Sequence, residues 1–198
     1  MTDGVIEKLS GARNVLMLAP SLSSKTDDIH DHLIAKRSLD EENLLVLTFQ
    51  DPERWLARLD RHYDGLPNKV TIVAMDETTR TPAGYGDDVS VTTVKPADLT
   101  SVGMAVTDCI TDWADSDAET VVCFDSVTDF LQYADRSTMY RFLRVVTRRF
   151  DAVDGFAHFH MDPYAHDRET IATLKSPFDA VVDASGEGDE SVTVSTRY

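Results

Sequence analysis

The sequence predicts an α/β fold in which a mostly parallel central sheet is flanked by helices and finishes in a C-terminal β-hairpin. Three features carry that expectation. Short apolar runs rich in β-branched residues alternate along the chain with amphipathic segments of helical period. The runs are apolar almost throughout, as strands covered on both faces are, whereas a strand with one wet face alternates. The C-terminal stretch VVDASGEGDESVTVST places two strand patterns around Ser185–Glu190, where Gly186 and Gly188 supply permissive backbone. With 198 residues, 42% of them hydrophobic, the chain can bury one full core, and a single domain over 1–198 is expected.

In chain order the strand candidates are Asn14–Leu18, Leu44–Phe49, Val70–Met75, Thr120–Phe124, Gly155–Met161 and Ala180–Asp183, followed by Ser191–Thr196. Helix patterns lie between them at Asp27–Arg37, Pro52–Tyr63, Leu99–Asp115, Ser126–Tyr133, Ser137–Ala152 and Asp167–Leu174. The stretch Thr79–Pro96 is the least regular, with Gly84, Gly86 and two prolines interrupting any helix, and it carries one edge strand, Ser90–Val94. In open sheets of this kind ligands meet the carboxyl ends of the strands. Chemistry should therefore converge on the loops after Leu18, Phe49, Phe124 and Met161.

The formal net charge of -16 rests on 35 acidic residues, mostly Asp, against 19 basic ones. That bias suggests a halophile, because short carboxylate side chains hold hydrated cations densely while repelling one another at low ionic strength. The same field repels phosphate backbones and anionic headgroups, so neither nucleic acid nor a membrane surface is an expected partner. Cys109 and Cys123 sit in apolar stretches far from any CxxC spacing and read as buried small hydrophobes in a reducing cytoplasm. The N-terminus shows no basic-then-apolar signal, and no apolar run reaches the ~18 residues of a membrane span. A cytoplasmic location follows as the expectation.

The stretch LMLAPSLSSKTDD, residues 16–28, has the layout of a phosphate-binding loop: an apolar strand, a loop, Lys25-Thr26, then a helix. Such a loop works by turning successive N–H groups inward at positions free of Cβ atoms. Aligned on Lys25-Thr26, the chain has Ala19, Leu22 and Ser24 where the GPPGTGKT form has glycine. Left-handed geometry costs a non-glycine residue roughly 1–2 kcal/mol, and Leu22 would crowd the cradle. The favoured reading is that Lys25 and Thr26 open a helix, Thr26 capping it; Ser24, Lys25 and Thr26 otherwise mark a vestigial nucleotide site.

A nucleotide site also needs an acid at the end of a buried strand, and ETVVCFDSVTDFL supplies Asp125, which would hold magnesium through water or else cap the next helix. It further needs a base for the attacking water. LLVLTFQDPERW offers Gln50, which cannot take a proton, and the shorter Asp51, also a natural cap before Pro52. Downstream, GFAHFHMDPYAHD carries His158 and His160 on one strand face with Asp162 continuing it, and His166 beyond Pro163. A polar hydrogen-bonding network is the favoured role there, and a metal held by His158, His160 and Asp162 the lesser one. Asp167 reads as a helix cap.

These segments, in this order, resemble the RecA/KaiC superfamily of P-loop ATPases, and within it the haloarchaeal KaiC-like or HTR-like proteins, whose Walker motifs are worn. The likeness runs from about Asn14 to Asp183 and is carried by TFQDPERWLARL, VVCFDSVTDFLQYAD, MYRFLRVVTRRF and AHFHMDPYAHDRETIATLKSPFDAVVDA. It implies a RecA-like P-loop NTPase fold and a non-catalytic regulatory or signalling role exerted through protein partners, with no cofactor. The alternative it implies is a nucleotide-binding switch or weak ATPase using Lys25, Thr26, Asp125 and Asp51 with ATP and magnesium. The segment Ser137–Ala152 interleaves Met139, Tyr140, Phe142, Leu143, Val145, Val146 and Phe150 with Arg141, Arg144, Arg148 and Arg149. Arginines beside aromatics on an acidic protein suggest a contact surface, and a homo-oligomer is one expected use of it.

The charge excess gives a direct expectation. Dilution from molar to millimolar KCl should lower the melting temperature, because screening of the 16 excess negative charges is withdrawn. An unchanged value across that range would contradict it.

Overall fold

The computed structural model describes residues 2–20, 24–34, 38–63, 65–76, 84–186 and 192–197, with the side chains of residues 2, 3, 24–28 and 62 outside that description. Strand β1 (Asn14–Leu18) is followed by helix α2 (Ser24–Ile34), β2 (Glu42–Thr48), α3 (Pro52–Tyr63), β3 (Lys69–Ala74) and β4 (Val89–Thr93). Then come α4 (Leu99–Asp112), β5 (Glu119–Asp125), α5 (Val127–Phe130), α6 (Arg136–Ala152) and β6 (Phe156–Met161). The chain ends in α7 (Arg168–Leu174), β7 (Ala180–Asp183) and β8 (Thr193–Thr196), and a short helix α1 (Thr2–Lys8) precedes β1. The strands form one eight-stranded sheet in the order β4-β3-β2-β5-β6-β1-β7-β8, parallel throughout except for β8, which pairs antiparallel with β7.

Strands β1 and β2 are buried along their whole length, which is the physical counterpart of the apolar runs at residues 15–18 and 44–47. Because side chains alternate across a strand, each contributes to two cores. Leu16, Leu18, Leu45, Leu47, Val122, Phe124 and Phe159 face α4, α6 and α7. Val15, Met17, Leu44, Val46, Val121 and Cys123 face α1, α2 and α3. The first core centres on aromatic contacts in which Phe159 lies 5.1 Å from Phe124 and 4.9 Å from Phe178 between ring centroids. The α6 residues Met139, Phe142, Leu143, Val146 and Phe150 are consumed by this core, leaving Val145, at 49% exposure, as the outward apolar residue of that helix. Arg149 donates to Gly103 O and Thr107 Oγ1 on α4, whereas Arg141, Arg144 and Arg148 remain at the surface.

Helix α1 is not predicted by the sequence pattern; the other differences from expectation lie at element ends. Helix α2 opens at Ser24, three residues before the expected start, so Lys25 and Thr26 fall in its first turn and Thr26 is not its cap. Strand β2 begins earlier, at Glu42, and its Asn43 side chain is satisfied inside the fold. Buried Asn43 donates to Ser116 Oγ at 3.0 Å and accepts from Asn68 at 2.7 Å. Helix α6 begins at Arg136, where Asp135 caps it by accepting from Thr138 N at 2.8 Å. Residue 191, expected to open the last strand, lies outside the described residues. Among the described residues no helix is long and apolar enough to cross a membrane.

Candidate functional site

Register decides which side chains reach the carboxyl edge of the sheet. Leu18 of β1 pairs with Met161 of β6, and Thr48 of β2 pairs with Asp125 of β5, so four strand ends finish together. They enclose a cleft of 160 Å³ whose lining includes Pro20, Gln50, Arg58, Asp125, His160 and Asp162. The side-chain amide of Gln50 donates to Asp125 Oδ2 at 2.7 Å. Gln50 is itself set by Thr48, whose hydroxyl accepts from Gln50 N at 2.9 Å and from Trp55 Nε1 at 3.2 Å. Arg58 reaches the cleft from α3 and pairs with Asp31 of α2 at 2.8 Å. Ser126 takes the capping role, its hydroxyl accepting from Asp129 N at 3.2 Å to open α5.

The other sequence candidates divide. Asp51 accepts from Glu53 N at 2.9 Å, which starts α3. Ser24, Lys25 and Thr26 belong to the first turn of α2 by their backbone, but their side chains lie outside the described residues, as does Leu22 altogether. Asp162 lines the cleft and accepts from Tyr164 N at 2.9 Å, while its own N–H donates to Thr128 Oγ1. His166 stands apart from the other histidines, with Nε2 at 3.1 Å from Thr128 Oγ1; burial lowers its pKa, against the pull of Asp162 and Asp167. Asp167 caps α7, accepting from Thr170 N at 2.7 Å.

His158 and His160 meet two residues that sequence reasoning did not join to them. Cys123 is paired in register with His158 across β5 and β6, and His30 comes down from α2, its Nε2 3.1 Å from Cys123 Sγ. Each of His30, Cys123, His158 and His160 offers a nitrogen or sulfur, all within 4.8 Å of one another; among the described residues these four, without Asp162, are the set that could hold a metal. His160 Nε2 is buried and has no hydrogen-bond partner among the described residues, although an edge of its ring borders the cleft. A signal for His30 did exist: its spacing to Leu33 and Ile34 puts it on the apolar stripe of its helix. What joins Cys123 to the cluster is the pairing of β5 with β6, which local pattern does not specify.

Burial sets the charge state here. It holds the His30 pKa well below the usual histidine value, and His160, His158 and Arg58 add to that. Burial and then Arg58 bring His160 down to about 3, while burial pushes the Cys123 thiol well above its usual value. At neutral pH His30 and His160 are uncharged imidazoles and Cys123 is a thiol.

With this geometry established, comparison with known proteins gives a family. A family model described as a family of unknown function (DUF7504) matches residues 12–184. The chain belongs to that family. No curated protein matches it. Among solved structures it is similar to the Pyrococcus horikoshii OT3 protein PH0250, at 11% identity and a TM-score of 0.63 over 98% of this chain and 91% of that one. It is also similar to the uncharacterized protein PH0321 of Pyrococcus horikoshii, solved in complex with an unknown peptide. There the identity is 15% and the TM-score 0.58, over 92% of this chain and 81% of that one. At such identities these likenesses speak to the DUF7504 chain's fold alone, an α/β arrangement around a mostly parallel sheet.

The histidines make stability depend on pH. A group with its folded pKa depressed contributes stability that is complete above the unfolded value, 6.5 for histidine, and is lost as pH falls toward the folded value, about 3 for His160. In chelator-treated protein in molar KCl, lowering the pH from 7 to 5 should cost roughly 1–2 kcal/mol through His160, the lower figure allowing for cleft water at the ring edge. Denaturant titrations of the wild type and His160→Gln check this. The variant should lose that part of the slope, and identical slopes would contradict the assignment.

Proposed function

We propose that this DUF7504 protein is a non-catalytic regulatory module of the RecA/KaiC-like kind, acting through contacts with other proteins. The observation that carries the reading is the hydrogen bond from the Gln50 amide to Asp125 Oδ2 at 2.7 Å. In a working phosphoryl-transfer site the strand-end acid turns its oxygens toward magnesium and its water, and a neighbouring group orients or deprotonates the nucleophile. Here an amide donor occupies one of those oxygens, and it comes from the residue nearest the place of the base. An amide takes no proton at neutral pH. Asp51, the remaining candidate, spends its carboxylate on the start of α3.

Two further observations agree. The cleft, at 160 Å³, is smaller than the about 300–1,000 Å³ usual for small-molecule pockets. Arg141, Arg144 and Arg148 of α6 are exposed beside Val145 on a protein with a net charge of -16, a basic surface with complementary acidic partners in view, a second copy included. The alternative, a nucleotide-binding switch through Lys25, Thr26 and Asp125, draws on Arg58, a cation that lines the same cleft as Asp125.

Phosphate release measured with millimolar ATP and magnesium in molar KCl distinguishes the two. The regulatory reading expects no release above the protein-free control. Release that is abolished in Lys25→Ala would overturn it in favour of the switch.

A further inference from the structure

The floor of the cleft carries chemistry that a regulatory module of this description does not use. On one face of the sheet, Cys123 of β5 stands opposite His158 of β6, His160 follows two residues on, and His30 descends on them from α2. The three imidazole rings are mutually in contact, with centroids 4.5 Å apart for His30 and His160, 5.1 Å for His30 and His158, and 5.4 Å for His158 and His160. Their side-chain donors and Cys123 Sγ fall within a sphere of the size of one coordinated cation. We propose that His30, Cys123, His158 and His160 form a tetrahedral binding site for Zn²⁺. This goes beyond the regulatory reading and does not depend on it.

The donor set argues for this class of cation. One sulfur and three nitrogens suit a borderline-soft metal, whereas magnesium and calcium select carboxylate, carbonyl and water oxygens. All four positions come from protein, three of them buried and His160 with one ring edge at the cleft, and a full set of four protein ligands is the arrangement of a structural rather than a catalytic zinc. Bond lengths near 2.0–2.3 Å place the ligands of such a site about 3.3–3.7 Å apart. The cluster brackets that range, from 3.1 Å between His30 Nε2 and Cys123 Sγ to a limit of 4.8 Å across the set, so ring rotations that draw the widest pairs in by roughly 1 Å close it.

The alternative is ring packing around a single sulfur–nitrogen hydrogen bond. Space in a dry core is filled at lower cost by apolar side chains, since a buried ring nitrogen left without a partner loses its hydration for nothing in return. His160 Nε2 is in that position among the described residues, and a cation at the centre of the cluster supplies the missing partner.

Proton and charge accounting is consistent. His30 and His160 bind as they stand, neutral. The Cys123 S–H bond breaks, a sulfur–zinc bond forms, and about one proton per cation leaves to the buffer. The bound site keeps one net positive charge, which Arg58 opposes and the carboxylates of Asp31 and Asp125, both close enough to act on the thiol, offset. Metal binding would fasten α2, the helix that opens with Lys25 and Thr26, to β5, the strand that ends in Asp125.

Cobalt(II) substitution tests the site on the full chain. In chelator-treated protein in molar KCl, cobalt should bind at about one equivalent per chain, with intense visible bands of tetrahedral coordination and a near-ultraviolet thiolate-to-cobalt band, all erased by Zn²⁺. Cys109→Ser should leave every band in place and Cys123→Ser should remove the near-ultraviolet one, Cys109 and Cys123 being the two thiols. His160→Gln should weaken cobalt binding by at least about tenfold. Weak bands of octahedral cobalt on the carboxylate-rich surface of the wild type would overturn the proposal, as would a near-ultraviolet band that is lost in Cys109→Ser.

Discussion

A parallel sheet covered by helices on both faces leaves no water for the side chains of its central strands. Every polar group there must find a partner within the protein or remain uncharged. The constraint is visible in several polar residues that the sheet holds. Asn43 is bracketed by Ser116 and Asn68, and Thr48 accepts from both Gln50 and Trp55. Asn14 donates to Thr147 O and to an Asp151 carboxylate oxygen at the opposite end of the sheet. His30, His160 and Cys123 obey the same rule by neutrality: burial lowers the pKa of His30 and His160 and raises that of Cys123.

The carboxyl edge is where that constraint relaxes. Asp125 is the last residue of β5 and only partly buried, and the Gln50 amide that reaches it follows directly from the turn after β2. The cleft therefore has a polar rim and, one step further into the sheet on the same strands, a nitrogen- and sulfur-rich floor that is buried except at the His160 ring edge. The rim accounts for the reading of a site without turnover. The floor accounts for a metal proposal that needs no reactivity at all.

Much of this was legible in the sequence wherever local pattern and tertiary environment coincide. β1 and β7 have the expected bounds, because an apolar run bounded by polar residues is read the same way by eye and by the core. The edge position of β4, the antiparallel last strand and the Asp167 cap were likewise carried by local chemistry. What was not legible depends on partners remote in sequence. Asn43, at the early start of β2, finds its partners in Asn68 and Ser116. The lesser reading of His158 and His160, a metal set with Asp162 continuing their strand face, takes no account of the helix and the neighbouring strand that bring His30 and Cys123 beside them. His30 and Cys123 lie 93 residues apart and become neighbours only once α2 is laid over β5.

The central claim is that the interior at β5 and β6 is dry and uncharged, and imidazole nitrogen-15 chemical shifts of chelator-treated protein at pH 5 in molar KCl report on it directly. An unperturbed histidine, with a pKa near about 6.5, is an imidazolium at that pH. The account predicts that His30 and His160 still show the paired protonated and unprotonated nitrogen shifts of neutral imidazole. Imidazolium shifts at both residues would contradict it.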